Sequence, residues 1–413
     1  MIRKGIYSTR TLETVMKASR AEVDVLFLPL YRYLPKQDMM ASEALWSYKL
    51  AYNASRRFRV LAVAGGIDGM QGDYPFPLVN LGVGPDRDYK EDLSFYLKLM
   101  VAPLVLRVRA RIIHHVGPFG FGAGISPPLA LPIPKDNRRY VIGPLLSPST
   151  EDEPDIWLKL GFVKTITRYP QLVSHTLEML SEWSLRRADC VIFASEGARV
   201  KWVERYQFLA SKPFDIIHGG GLDQKEYFTK VATSGDELVV GVASNLIRRK
   251  RIDVLLEALA GVREPWRLII SGDGPEKSAL MRIASRLGIS DRILWLGRLR
   301  RGDMPKFYNM INVYVALDPG PTLEKASAQE AAIAGRPFIS GQWGIGPRPR
   351  KVEGGYEVEA SDVNSIREAI YAFLDKEVLW KTASEARELA LGEFSDDAVL
   401  TKLEHVYNYL CKV

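Results

Sequence analysis

Residues 237–275 read ELVVGVASNLIRRKRIDVLLEALAGVREPWRLIISGDGP, and their rhythm decides the fold. Residues 237–243 form a short run rich in β-branched side chains, the pattern of a strand. Residues 251–262 set Ile252, Leu255, Leu256 and Leu259 on one face at helical spacing. Residues 266–271 form a second apolar strand, closed by the turn Gly272-Asp273-Gly274-Pro275. The alternation continues with a helix over 276–287, a strand over 292–296 and a helix over 302–310. A strand over 313–317, a helix over 327–334 and a strand over 337–340 follow. Strands and helices that alternate across short connections imply a parallel sheet with helices on both faces. Such sheets bind ligands beyond the carboxyl ends of their strands.

The first half is also α/β but less regular. Strands are expected over 60–64, 78–82, 112–116, 140–142, 190–194 and 215–218, with long helical patterns over 89–110 and 171–187. The Gly- and Pro-rich stretch 117–134 reads as a loop with a short helix. Polar residues 229–236 mark a boundary, and the break over 392–395 precedes a last helix over 396–410. The expected domains are therefore 1–228 and 229–392, with 393–413 as a closing segment. Two doubly wound domains in tandem would leave a cleft, with a nucleotide on one side and a second substrate on the other.

Bulk composition narrows the function. At 413 residues the chain is too long for one core. The 47% hydrophobic and 25% charged residues are those of an ordinary globular protein. No secretory apolar run opens the sequence, so a cytoplasmic location is expected. The apolar stretch 95–106 contains Lys98 and Pro103 and is too short to span a bilayer. It reads as a core helix; with Arg107, Arg109 and Arg111 behind it, a peripheral contact at the inner membrane face is the alternative. Two cysteines, Cys190 and Cys411, exclude a disulfide framework and a zinc-cysteine site. The net charge of +7 admits nucleic acid, an anionic surface or a phosphorylated small molecule. The densest basic run, Arg248 to Arg251, has no interleaved aromatic residue, which disfavours nucleic acid.

Four clusters carry candidate chemistry. Asn245 to Asp253 follows a strand and enters a helix, where basic side chains and free amides suit a diphosphate. Lys250 is the expected phosphate contact, helped by Arg248 or Arg249; the bland alternative is a solvated basic turn. In PTLEKASAQEAAIAGRP, residues 321–337, Glu330 reads as a carboxylate near a helix start that accepts ribose hydroxyls, with amides near Ser327 facing a phosphate. Gly272 and Gly274 allow close backbone approach to a ligand, or simply make a βα turn. His114 and His115 end a strand, where a histidine positions a hydroxyl or is satisfied within the core. No Walker A motif or nucleophile elbow occurs, and no metal or other cofactor is expected.

In order along the chain, Lys250-Arg251-Ile252-Asp253 with Leu255 to Ala258, the GDGP turn, ILWLG at 293–297 and the block 321–339 resemble retaining glycosyltransferases of the GT-B fold, family 4. Phe394-Ser395 resembles that family's crossing back to the first domain. IIHHVGPFGFG, YVIGPL, DCVIFASEGAR and IIHGGGLDQKEYF resemble its acceptor-domain strands and hinge-proximal loop. The resemblance implies two Rossmann-like domains, the first binding an acceptor and the second a nucleotide sugar. It implies that Lys250 binds the donor diphosphate, that Glu330 binds the ribose, and that His114 or His115 lies near the transferred sugar. Gly297 and Arg298 would lie near the base. Two positions depart from the pattern. The first glutamate of the family's E-x7-E falls at Thr322, with Glu324 close by and within reach of the sugar, and the family's arginine falls at Asn245. These departures bear on donor-sugar recognition. The expected activity is transfer of a hexose from a UDP-, GDP- or ADP-sugar to a glycan, lipid-linked or small-molecule acceptor. The alternatives are a nucleotide-sugar binding protein without turnover and a GT-B epimerase.

Overall fold

The computed structural model describes residues 22–34, 42–68, 74–84, 108–116, 129, 137–148, 170–227 and 237–412. The chain divides into two compact units, Met1–Gly221 with Val399–Val413, and Leu222–Ala398. The helix expected over 89–110, the loop over 117–134 and the boundary over 229–236 fall largely or wholly outside the described residues.

The first unit is built on a parallel sheet of β1 (Glu22–Leu34), β2 (Val60–Ile67), β3 (Leu78–Asn80), β4 (Arg109–His115), β5 (Arg139–Leu145), β6 (Cys190–Phe193) and β7 (Phe214–Ile216). Their spatial order is β3-β2-β1-β4-β5-β6-β7. The order reverses direction between β1 and β4, which makes that gap a topological switch point. β1 lies inside the sheet, yet no strand is expected there. Pro29 interrupts the run EVDVLFLPLYRYL, and a proline has no N–H to give a ladder. The chain accommodates it with a register shift against β2 between Phe27 and Tyr31. Helices α1 (Ser42–Ser55), α2 (Pro170–Arg187) and α3 (Glu196–Arg205) accompany the sheet. Both faces of the sheet are apolar: Val25, Phe27, Ile112, Val141 and Ile192 serve one core, and Leu26, Leu28, Ile113, Ile142 and Val191 the other.

The second unit opens with α4 (Gln224–Tyr227) and repeats the design. It alternates β8 (Leu238–Ala243), α5 (Ile252–Ala260), β9 (Trp266–Ser271), α6 (Lys277–Arg286), β10 (Ile293–Gly297), α7 (Met304–Asn309), β11 (Val313–Ala316), α8 (Ala326–Ile333) and β12 (Phe338–Gln342). The hairpin of β13 (Arg350–Val352) and β14 (Gly355–Glu359) follows, then α9 (Val363–Ala372) and α10 (Lys376–Glu393). The order is β10-β9-β8-β11-β12-β14-β13, with β13 the antiparallel member. Val240, Val242, Leu268, Ile270, Val313 and Val315 face one core, and Ile269, Tyr314 and Ala316 face the other. Burial on both faces explains why these strands read as continuous apolar runs. The switch point of this sheet lies between β8 and β11.

The chain returns to the first unit through Phe394 and Ser395. Ser395 accepts from the Ala398 N–H and so caps α11 (Asp396–Lys412). Val399, Leu403, Val406, Tyr407 and Leu410 of α11 share a core with β1, β4 and α1. Of the closing segment expected over 393–413, Val399–Val413 fall in the first unit and the residues before Val399 in the second.

Candidate functional site

The carboxyl ends of β8 and β11 hold a charged pair. After β8 the chain runs through an exposed loop, makes a tight turn over Arg248–Lys250, and enters α5 through Arg251 at φ 50°. That turn brings the Lys250 Nζ to 2.8 Å from Asp318 Oδ2, two residues beyond the end of β11. A small cavity is lined there by Ser244, Lys250, Ile252, Tyr314, Asp318 and Ser327. Burial alone would raise the Asp318 carboxyl, but Lys250, Lys325 and Arg249 outweigh it and hold the carboxyl below its usual range. The site thus gathers more cations than anions around one opening. Sequence reasoning named Lys250 and Ser327 but missed Asp318, although an acid two residues beyond a strand was a legible signal.

Arg248, Arg249 and Asn245 are exposed beside this opening. The glycine turn has a different purpose from the one expected. Gly272 has φ 135°, and a Cβ there would collide with the Ser244 carbonyl; one at Gly274 would collide with the Leu246 carbonyl. Ser244 donates to the Ser271 carbonyl at 3.0 Å, and Leu246 to the Asp273 carbonyl at 3.0 Å. The close approach these glycines permit is therefore to the neighbouring basic loop. The turn acts on the site by fixing the loop that carries Lys250. Gly272 N also donates to the Gly297 carbonyl at 2.7 Å, while Arg298 is exposed.

A second layer of charge adjoins the first. Lys325 sits just before α8, with its Nζ 2.7 Å from Ser340 Oγ and 2.9 Å from the Gly341 carbonyl. Burial pushes its amine down to about 8, against the opposing pull of Asp318. Thr322 is buried and donates to Glu357 Oε1 at 2.9 Å. Gln342 Nε2 lies 3.2 Å from the same oxygen, and Arg350 pairs with the other. Lys325 and Glu357 carry no recognisable pattern, because their burial is a tertiary result. Glu324 lies on the turn Thr322–Glu324, partly exposed.

Glu330 corrects an expectation. It lies in the body of α8, 4% exposed, with its carboxylate 2.7 Å from the Arg301 guanidinium. The Tyr308 hydroxyl lies 3.0 Å from Glu330 Oε2 and 3.1 Å from the Ser327 carbonyl, and donates between them. Glu330 does not line the cavity with Lys250; the Tyr308 hydroxyl links it to Ser327, which does. Arg301 was not foreseen, since it lies 29 residues earlier in a turn with no motif.

His114 is corrected too. It is fully buried and stacks on Phe27 with centroids 5.0 Å apart. Its Nε2 donates to the Gly143 carbonyl at 3.0 Å, and its Nδ1 accepts from the Tyr407 hydroxyl at 2.6 Å. Burial drives its pKa down to about 3, so the ring is neutral and structural. His115, 2% exposed, donates from Nδ1 to the Leu28 carbonyl at 3.1 Å, and burial lowers its pKa to about 4. Among the described residues no group of three His, Cys, Asp or Glu side chains gathers as a metal site. Among the same residues no helix is long and apolar enough to cross a membrane.

The family of glycosyl transferases group 1 matches residues 237–376, which span the switch point and both charge layers. The chain is 25% identical, over 204 residues, to N-acetyl-alpha-D-glucosaminyl L-malate synthase of Bacillus anthracis. That match covers 45% of this chain and 51% of the relative. The chain spans about half the length of the curated relatives it matches. Sucrose-phosphate synthase from Thermosynechococcus elongatus superposes with a TM-score of 0.65 at 18% identity, over 95% of this chain and 100% of that one. Anabaena HepE, solved with UDP-glucose, gives 0.61 at 17% identity, over 94% and 100%. These likenesses show the fold: two Rossmann-like units of the GT-B type.

Proposed function

We propose that this chain is a retaining glycosyltransferase that moves a hexose from a nucleotide sugar to a hydroxyl acceptor without a metal ion. The observation that carries the proposal is the cationic opening of Lys250, Asp318 and Ser327 at the switch point between β8 and β11. The match of the glycosyl transferases group 1 family to residues 237–376 supports it. As the glycosidic bond breaks, the leaving diphosphate gains negative charge. Lys250, Arg248, Arg249 and the first amides of α8 stabilise that charge, and Asp318 holds the Lys250 ammonium in place beforehand. Glu330, steadied by Arg301 and Tyr308, supports the nucleoside side. The first unit takes the acceptor, which is a glycan, a lipid-linked saccharide or a small molecule. The base of the donor is uracil, guanine or adenine, and UDP-glucose is the first donor to try because HepE was solved with it.

The test is calorimetric titration of UDP-, GDP- and ADP-sugars together with a transfer assay on an acceptor panel. Lys250→Ala should weaken donor binding and lower transfer about 10²–10³-fold; unchanged affinity and turnover would remove the proposal. Thr322 at the place of a family glutamate favours one second reading, donor binding without turnover. Tight binding with no product from any acceptor would support that reading instead.

A further inference from the structure

We infer that Glu357 supplies to the donor sugar the carboxylate that position 322 lacks, as a specificity-determining contact. The inference rests on the donor-site reading above and deepens it. Three observations carry it.

Thr322 stands where the family pattern places a glutamate, and its hydroxyl is hydrogen-bonded to Glu357 Oε1 at 2.9 Å. The carboxylate has therefore not left this spot; it arrives from β14 instead of from the loop after β11. The strand register explains how. Glu357 pairs with Ser340 of β12, and Ser340 pairs with Ala316, the last residue of β11. A side chain at Glu357 is thus at the level where β11 ends and the donor loop begins.

Glu357 is 9% exposed and is held from two sides. On the inner side, Thr322 and Gln342 hold Oε1. Beyond them Lys325 feels its charge, and Lys325 in turn interacts with Asp318 and Lys250 at the cavity. Alternating charges thus run without a break from Glu357 to the diphosphate position. On the outer side, Oε2 is held by Arg350, whose side chain is 63% exposed. Because the Arg350 side chain reaches solvent, its guanidinium can swing outward when sugar hydroxyls take its place on Oε2. Its removal uncovers an oriented carboxylate oxygen, since Thr322 and Gln342 keep the other oxygen fixed.

A buried acid at the centre of a strand also needs an explanation. Strand β14 reads GYEVE, and Val358 beside Glu357 is fully buried in the core. An apolar residue at 357 would suit the strand at least as well. Hydroxyl recognition explains why an acid is there.

The experiment compares nucleotide sugars with the matching nucleoside diphosphates on the full chain by calorimetry. Glu357→Gln should weaken the nucleotide sugar at least tenfold and leave the nucleoside diphosphate within twofold of wild type. Thr322→Glu placed in the Glu357→Gln background should recover most of the lost affinity. Arg350→Ala should keep or strengthen sugar binding, because it frees Oε2. Thermal melting of each variant separates these effects from unfolding. Should Glu357→Gln lower both ligands equally, or act just as Arg350→Ala does, Glu357 is only an anchor for Arg350 and the inference is overturned. It is equally overturned if Glu324→Gln, and not Glu357→Gln, selectively weakens the sugar. Wild-type protein that binds nucleoside diphosphate but no nucleotide sugar would overturn the donor reading itself, and this inference with it.

Discussion

The two switch points of this chain are built alike and used differently. In the first unit, Phe27 of β1 pairs in register with His114 of β4 across the gap. In the second, the ends of β8 and β11 frame Lys250 and Asp318. Both gaps contain titratable groups. At the first, the groups are neutral, fully buried and satisfied by a carbonyl and a tyrosine hydroxyl. At the second, they are charged, border a cavity and outnumber their counter-charges. Topology offers a place for ligand; the solvation of the side chains decides whether the place is kept open or filled by packing.

The largest expected effect breaks the second switch point. Lys250→Ala should lower turnover about 10²–10³-fold, the usual loss for one donor to a developing anion. Thermal stability should fall as well, because Asp318 is left buried without its nearest cation. The comparison can next be sharpened by pH. His114 and His115 have folded pKa values lowered from 6.5 to about 3 and about 4. The unfolded chain therefore binds more protons below pH 6.5, so stability is full above that pH and falls as pH drops toward 3. Each histidine contributes a slope of up to about 1.4 kcal/mol per pH unit in that window. Denaturant titrations at pH 7 and 5 should show the loss, and His114→Gln should flatten it. A smaller effect is expected from Gly272→Ala, which forces a side chain at φ 135° against the Ser244 carbonyl. It should cost about 1–3 kcal/mol and shift the Lys250 loop, read as lower melting temperature with weaker donor binding. Smallest is Tyr407→Phe, which leaves the His114 Nδ1 without its donor. About 1–2 kcal/mol of stability should go, with donor affinity unchanged by calorimetry.

What the sequence made legible follows from how burial is distributed. Trp266–Ser271 was readable to the residue because a strand covered on both faces is apolar throughout. β1 was not, because Pro29 hides a central strand behind a breaker. β14 was not, because the inward position 357 carries an acid. In the site, Lys250 was legible from its place between strand and helix. Glu330 was found but misread: a residue seen as a first-turn acid is neutralised from a distant turn by Arg301. His114 could not be judged without Tyr407, a partner 293 residues away.

That last separation makes the first unit discontinuous in sequence. Val399, Leu403, Val406 and Tyr407 complete a core otherwise built from residues before Gly221, whereas the second unit is one unbroken stretch, Leu222–Ala398. Loss of α11 would therefore strip an apolar face from the first unit while leaving the whole sequence of the second intact.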